Sequence, residues 1–153
     1  MKRICILLVA ILLAAVSASA LASAHSTPPA ARSALFSTVE LHNTRLGKIL
    51  VNAAGSILYV FSKDHTKQSS CAKIKGCPAV WPAMPVAGKP SAGSGVRASR
   101  LSTIATPEGI RQVTYAGHPL YIYAAAPKLI SYVGVKQFGG NWYALNASGQ
   151  IVK

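Results

Sequence analysis

Carboxylates are almost missing from this chain: Glu40, Asp64 and Glu108 are its entire supply, against sixteen lysines and arginines. A two-carboxylate glycosidase would have to pair Asp64 with Glu40 or Glu108, and nothing in the pattern brings two of them together. The scarcity also limits acid denaturation, which is largely the protonation of carboxylates that are paired or hydrogen-bonded in the folded state. An acidic working environment fits such a chain, with an unfolding free energy nearly constant from neutral pH to about pH 3. Self-repulsion among the cations works in the opposite direction. Cysteine is scarce as well, with only Cys5, Cys71 and Cys77. Also missing are a nucleophile elbow, an H-E-x-x-H pair and a phosphate loop. The chain therefore reads as non-enzymatic, with a small secreted hydrolase as the alternative.

Long apolar runs are confined to Ile4–Val16, shorter than the roughly 20 residues a membrane span needs. Met1-Lys2-Arg3 precedes this run and small residues follow it to Ala24, where Ala22-Ser23-Ala24 fits an A-x-A cleavage site. Ala18-Ser19-Ala20 is a second choice. The expectation is a cleaved signal peptide over 1–24 and no stable transmembrane anchor, a retained anchor being the competing reading. No Cys stands at the cleavage point, so lipid attachment is not expected. Cleavage removes Cys5 and lowers the net charge from +13 to +11.

Export to a periplasmic or extracellular site gives the two remaining cysteines an oxidising compartment. There Cys71 and Cys77 read as a disulfide closing a short loop, worth about 2 kcal/mol on the chain-entropy model. A thiol metal site is the alternative, although the spacing is neither C-x-x-C nor C-x-x-C-H. The positive charge is dispersed from Arg32 to Lys153, with one local cluster of Lys63, Lys67, Lys73 and Lys75. Without a recognition motif, and outside the cytoplasm, nucleic acid is not the expected partner. Anionic envelope polymers or another envelope protein fit better.

Along the chain, residues 25–43 read as a flexible leader and 44–153 as one β-rich domain. Lys48–Val51 and Ser56–Phe61 are strand-like around a turn at Asn52–Gly55. Alternation sets Ile57, Tyr59 and Phe61 on one face and Leu58 and Val60 on the other, so this strand should be buried on both sides. The Gly- and Pro-containing stretch 86–98 reads as a linker or long loop. Further strand-like segments are Leu101–Thr106, Ile110–Tyr115, His118–Tyr123 and Asn141–Leu145, with turns at Pro107–Gly109, Ala116-Gly117 and Asn146–Gly149.

The two halves use the same language. Gly55–Phe61 aligns with Gly117–Tyr123 at an offset of 62, and Trp81–Met84 aligns with Trp142–Leu145 at an offset of 61. Two blocks in the same order at nearly one offset indicate a duplication. The fold class expected is all-β and antiparallel: two related β units, about 47–85 and 101–149, packed as one domain. A short helical or irregular Cys/Trp-Pro loop segment completes it.

Leu58–Asp64 carries the pattern Y-x-[FWY]-x-x-D. Together with Cys71…Cys77-Pro-Ala-Val-Trp-Pro82, Gln112–Tyr123 and Trp142-Tyr143, it resembles a family of secreted bacterial repeat proteins, often lipoproteins, of unknown function. The resemblance spans about Gly47–Gly149 and implies an exported repeat domain without an assigned activity. The second unit departs from the motif, with Ala126 where Asp would stand.

The motif residues and their partners, Tyr59, Phe61, Asp64, Trp81, Tyr121, Tyr123 and Trp142, are the ligand candidates. The aromatics read either as core packing or as a stacking platform. Asp64 reads either as a loop cap or as a ligand contact. No cofactor is expected from these residues. His65, His118 and Met84 with the cysteines include ligand types suited to copper or haem, but no His lies between Cys77 and Met84 and the histidines are not duplicated. The reading is an exported binding or interaction module, with a periplasmic metal-handling or redox-associated protein as the alternative.

Overall fold

A computed structural model describes residues 37–125 and 130–153. The expected signal peptide and Ala126 lie outside the described residues. Strands β1 (Thr38–Thr44) and β2 (Gly47–Asn52) form an antiparallel hairpin. The Thr44 hydroxyl ties its turn, accepting from the Leu46 N–H and donating to the Gly47 carbonyl. Asn52 builds the next turn, its Oδ1 accepting from the N–H groups of Ala54 and Ser56. This Asx geometry is what the Asn-Ala-Ala-Gly sequence favours. The chain then enters β3 (Tyr59–Phe61).

The second half repeats the plan. β5 (Leu101–Ala105) and β6 (Arg111–Tyr115) pair as a hairpin, and β6 turns at Ala116-Gly117 into β7 (His118–Pro119). β9 (Gly140–Leu145) runs antiparallel to β3 and is flanked by β8 (Lys136–Gln137) and β10 (Ile151–Val152). The loop between the cysteines and Trp-Pro is a 3-10 turn at Cys71–Lys73 and a one-turn helix at Cys77–Val80. The Cys71–Cys77 disulfide spans it, with the Cα atoms 5.4 Å apart.

The halves are related by an approximate two-fold axis through the middle of the ladder. Tyr59 and Tyr121, equivalent by the 62-residue offset, pair with each other, and each N–H donates to the other's carbonyl at 2.9 Å. On one side of this pair, Tyr59 is opposite Ala144 of β9; on the other, Tyr121 is opposite Ala83. The bond from Ser62 N–H to the Asn141 carbonyl has its counterpart in the bond from Ala124 N–H to the Val80 carbonyl, each at 2.9 Å. Each unit therefore contributes its Trp-containing closing segment to the other unit's central strand. Neither could satisfy its backbone groups alone.

Alternation about this ladder divides the interior into two clusters. One holds Ile57, Tyr59, Phe61, Trp81, Tyr121, Trp142 and the disulfide. The other holds Leu58, Val60, Met84, Val113, Tyr115, Leu120 and Leu145. Strand β3 is buried on both faces, as its uninterrupted apolar run requires.

The N-terminal boundary differs from the sequence expectation. β1 starts at Thr38, inside the segment read as a leader ending at residue 43. Only Val39 of this strand is fully buried, so its half-polar composition carries little apolar signal. The stretch 86–98 also contains a short strand, β4 (Ser91–Ala92), which runs parallel to β1. Gly93 and Gly95 permit that approach, since a Cβ at either would fall within 3 Å of the Glu40 or Leu41 side chain.

Candidate functional site

The motif aromatics form the core rather than a solvent-facing platform. Trp81 and Trp142 are fully buried and stack at 4.0 Å between ring centroids with 4° between planes. Tyr59 meets Trp81 edge-on at 5.1 Å, and its equivalent Tyr121 meets Trp142 edge-on at 5.2 Å. Phe61 stacks on Trp142 at 4.3 Å, matched by Tyr123 on Trp81 at 4.6 Å. The duplication thus reaches the ring geometry. Of the seven motif candidates, only Tyr123 and Asp64 are less than fully buried.

Asp64 closes the loop that follows β3. Its Oδ1 accepts the Ser70 N–H at 2.7 Å while the Ser70 hydroxyl donates to the Lys63 carbonyl. Oδ2 is buried without a well-formed hydrogen bond. Burial dominates this carboxyl and pushes its pKa up to about 6, against the smaller opposing pull of the Ser70 N–H and the Tyr121 phenol. The phenol of Tyr121 is raised in turn, mainly by burial and then by the neighbouring Asp64 charge. The phenol shares a hydrogen bond with the Ser69 hydroxyl at 2.8 Å, which ties this loop to the central ladder. The Y-x-[FWY]-x-x-D pattern thereby acquires a physical reason: two core rings and the carboxyl that fastens the loop after them.

The metal candidates are not assembled. Cys71 and Cys77 are joined to each other. Met84 lies fully buried in the second cluster, His65 is exposed, and His118 is half-buried with its pKa lowered by burial. Among the described residues no group of three or more His, Cys, Asp or Glu side chains could hold a metal ion. The disulfide leaves Cys71 and Cys77 without a free thiolate for a metal.

What sequence reasoning missed is a cleft of about 430 Å³ on the disulfide side of the molecule. The Cys71–Ala72 turn, Pro78, and the Pro82–Pro85 segment form one wall, and Thr106, Glu108 and Ile110 from the β5–β6 turn form another. The buried rings of Trp81 and Tyr121 lie at its base, and Ile122 completes an almost wholly apolar lining. Ile110 is 41% exposed. The available sequence signal was the proline spacing Pro78, Pro82, Pro85 after the disulfide: a proline has no N–H to give to a ladder, so this segment pairs only through isolated bridges at Ala83 and Pro85.

The chain matches no protein-family model, no curated protein and no solved structure. Its function therefore has to be read from the site itself.

Proposed function

We propose that this protein is an exported, non-enzymatic binding module whose ligand site is the cleft between the disulfide loop and the β5–β6 turn. The observation that carries the reading is the cleft itself, an apolar concavity of about 430 Å³ in a domain whose two interior clusters are otherwise filled by interlocking side chains. A concave, mostly apolar site with few polar groups is the usual form of a small-molecule pocket. The export assignment rests on the leader pattern, on the disulfide, and on the resemblance to secreted repeat proteins. No helix among the described residues is long and apolar enough to cross a membrane. An envelope setting also supplies apolar and amphiphilic molecules in quantity.

Fluorescence titration with a neutral apolar probe, N-phenyl-1-naphthylamine, tests this reading. Saturable enhancement is expected for the mature chain, with at least a ten-fold weakening in Ile110→Glu, which places a charge in the cleft without touching either core cluster. Absence of saturable binding, or equal binding by Ile110→Glu, would overturn it.

A further inference from the structure

The apolar cleft does not end on its own walls. A second cavity of about 300 Å³ adjoins it and shares two of its residues, Ser69 and Thr106. Its other lining combines Ala105 and Pro107 with Gln68 and two exposed lysines, Lys67 and Lys73. The shared residues are unusual in their own right. Thr106 is only 6% exposed, and its Oγ1 is buried with no hydrogen-bond partner. Ser69, 8% exposed, is already bonded to the Tyr121 phenol. Two carboxyls stand nearby, and neither lines the lysine-lined cavity: Glu108 lines the apolar cleft, and Asp64 lies behind the loop, bonded to the Ser70 N–H.

The backbone holds the lysine side in place. Lys67 adopts a left-handed conformation, φ 59°, which costs a non-glycine residue about 1 kcal/mol or more. Its N–H donates to the Gly117 carbonyl, so the loop is tied to the β6–β7 turn of the other unit. Lys73 ends the 3-10 turn that begins at Cys71. The backbone at both lysines is thus held at one end of the apolar cavity, within reach of which their side chains carry two positive charges.

We infer that the ligand is an amphiphilic anion, a single apolar chain lying in the cleft with its anionic headgroup at Lys67 and Lys73. This rests on the reading of the cleft as a ligand site and names the class of molecule it takes. Apolar burial supplies affinity, roughly 25 cal/mol per Å² removed from water, while the lysines select the sign of the headgroup and lend the complex a salt dependence. Glu108 on the apolar side disfavours the reverse orientation. A detergent-like alkyl anion and an acidic lipid share this chemistry, and acyl-chain number separates them.

Isothermal titration of the mature chain with decyl sulfate, decanol and decyltrimethylammonium, each below its micellar concentration, tests the inference. Decyl sulfate is expected to bind at least ten-fold more tightly than decanol, and the cation more weakly still. Lys67→Glu/Lys73→Glu should erase the preference for sulfate while leaving decanol affinity unchanged. Equal binding of all three, or a sulfate preference that survives the double substitution, would overturn the anion inference while the cleft stands. Failure of decanol and the naphthylamine probe alike would instead remove the cleft reading beneath it. Vesicles of acidic diacyl lipid that compete for decyl sulfate would identify the lipid source; free single-chain anions are the source if they do not.

Discussion

Tyr59 and Tyr121 exchange main-chain hydrogen bonds with each other, although 62 positions separate them in the chain. Because the two are equivalent residues of a duplicated unit, this pair lies on the local two-fold axis. Each phenol then reaches across to the other unit's long loop. Tyr121 bonds Ser69 at 2.8 Å, and Tyr59 accepts the Tyr132 N–H at 3.1 Å. The related positions of the other half, Asn43–Leu46 and Ile130–Ser131, line a cavity of their own, but the disulfide belongs to the first unit's loop and so borders the apolar cleft alone.

The stacked tryptophans provide a spectroscopic reporter of the exchanged strands. Parallel indoles 4.0 Å apart couple their transitions, so an exciton couplet is expected in circular dichroism. Trp81→Phe and Trp142→Phe should each abolish the same couplet. Each should also lower the unfolding free energy by about 1 kcal/mol or more, and a double-mutant cycle should give a coupling of roughly 0.5–1.5 kcal/mol.

The disulfide belongs to the first core cluster and also borders the cleft. Cys71→Ala/Cys77→Ala is expected to cost about 2 kcal/mol in urea unfolding while keeping the tryptophan couplet. Binding of the neutral probe should weaken, since Cys71 and Ala72 form part of the cleft wall.

Two buried groups give pH effects of opposite sign. The folded-state pKa of Asp64 is raised from 3.8 to about 6, so the folded chain binds this proton more tightly than the unfolded chain. Its contribution to stability is therefore full below pH 3.8 and is lost as pH rises towards 6. The size is on the order of 2–3 kcal/mol. His118 is lowered by burial, so the stability of its neutral form is lost as pH falls below the ordinary histidine range. Asp64→Asn should remove the gain on acidification and leave the loss due to His118, measured as unfolding free energy at pH 7, 5.5 and 4. The same measurement decides between this profile and the near-constant one that carboxylate scarcity alone implies. Only one carboxylate ion pair is present among the described residues, Glu40 with His42 at 3.8 Å.

The β6–β7 turn carries a removable strain. Ala116 has φ 50° and Gly117 φ 86°, the two positive values of a two-residue hairpin turn in which Asn or Gly is preferred at the first position. Ala116→Gly should raise the unfolding free energy by about 1 kcal/mol. Gly149→Ala should lower it, because the added methyl would meet the Ala116 side chain and the residue sits at φ 77°. Thermal unfolding of the two variants checks both signs.

The duplicated architecture was legible because strand alternation and repeated Trp and Tyr spacing survive in the sequence. Leu58 and Val60 pointed to one face and Tyr59 and Phe61 to the other, and they occupy separate clusters. What alternation could not show was that the Trp segments exchange partners, because pairing Ala83 with Tyr121 depends on contacts distant in the chain. Strand β1 and the short strands β4, β8 and β10 were missed or shortened since each has few fully buried residues. The aromatics drew attention as site candidates because they are conspicuous. Of these only Trp81 and Tyr121 reach the cleft; the rest of it is mostly prolines, alanines and isoleucines whose periodicity carries no signal, on turns that become neighbours only after folding.

The most direct test is amide chemical-shift mapping of the mature chain during titration with decanol. Saturable shifts are expected among the amide-bearing residues around the cleft, including Ser69, Ala72, Ala83, Thr106, Ile110 and Ile122. Shifts centred elsewhere, such as Asn43–Leu46 and Ile130–Ser131 at the opposite cavity, or no saturable shift, would contradict a binding function for the disulfide-side cleft.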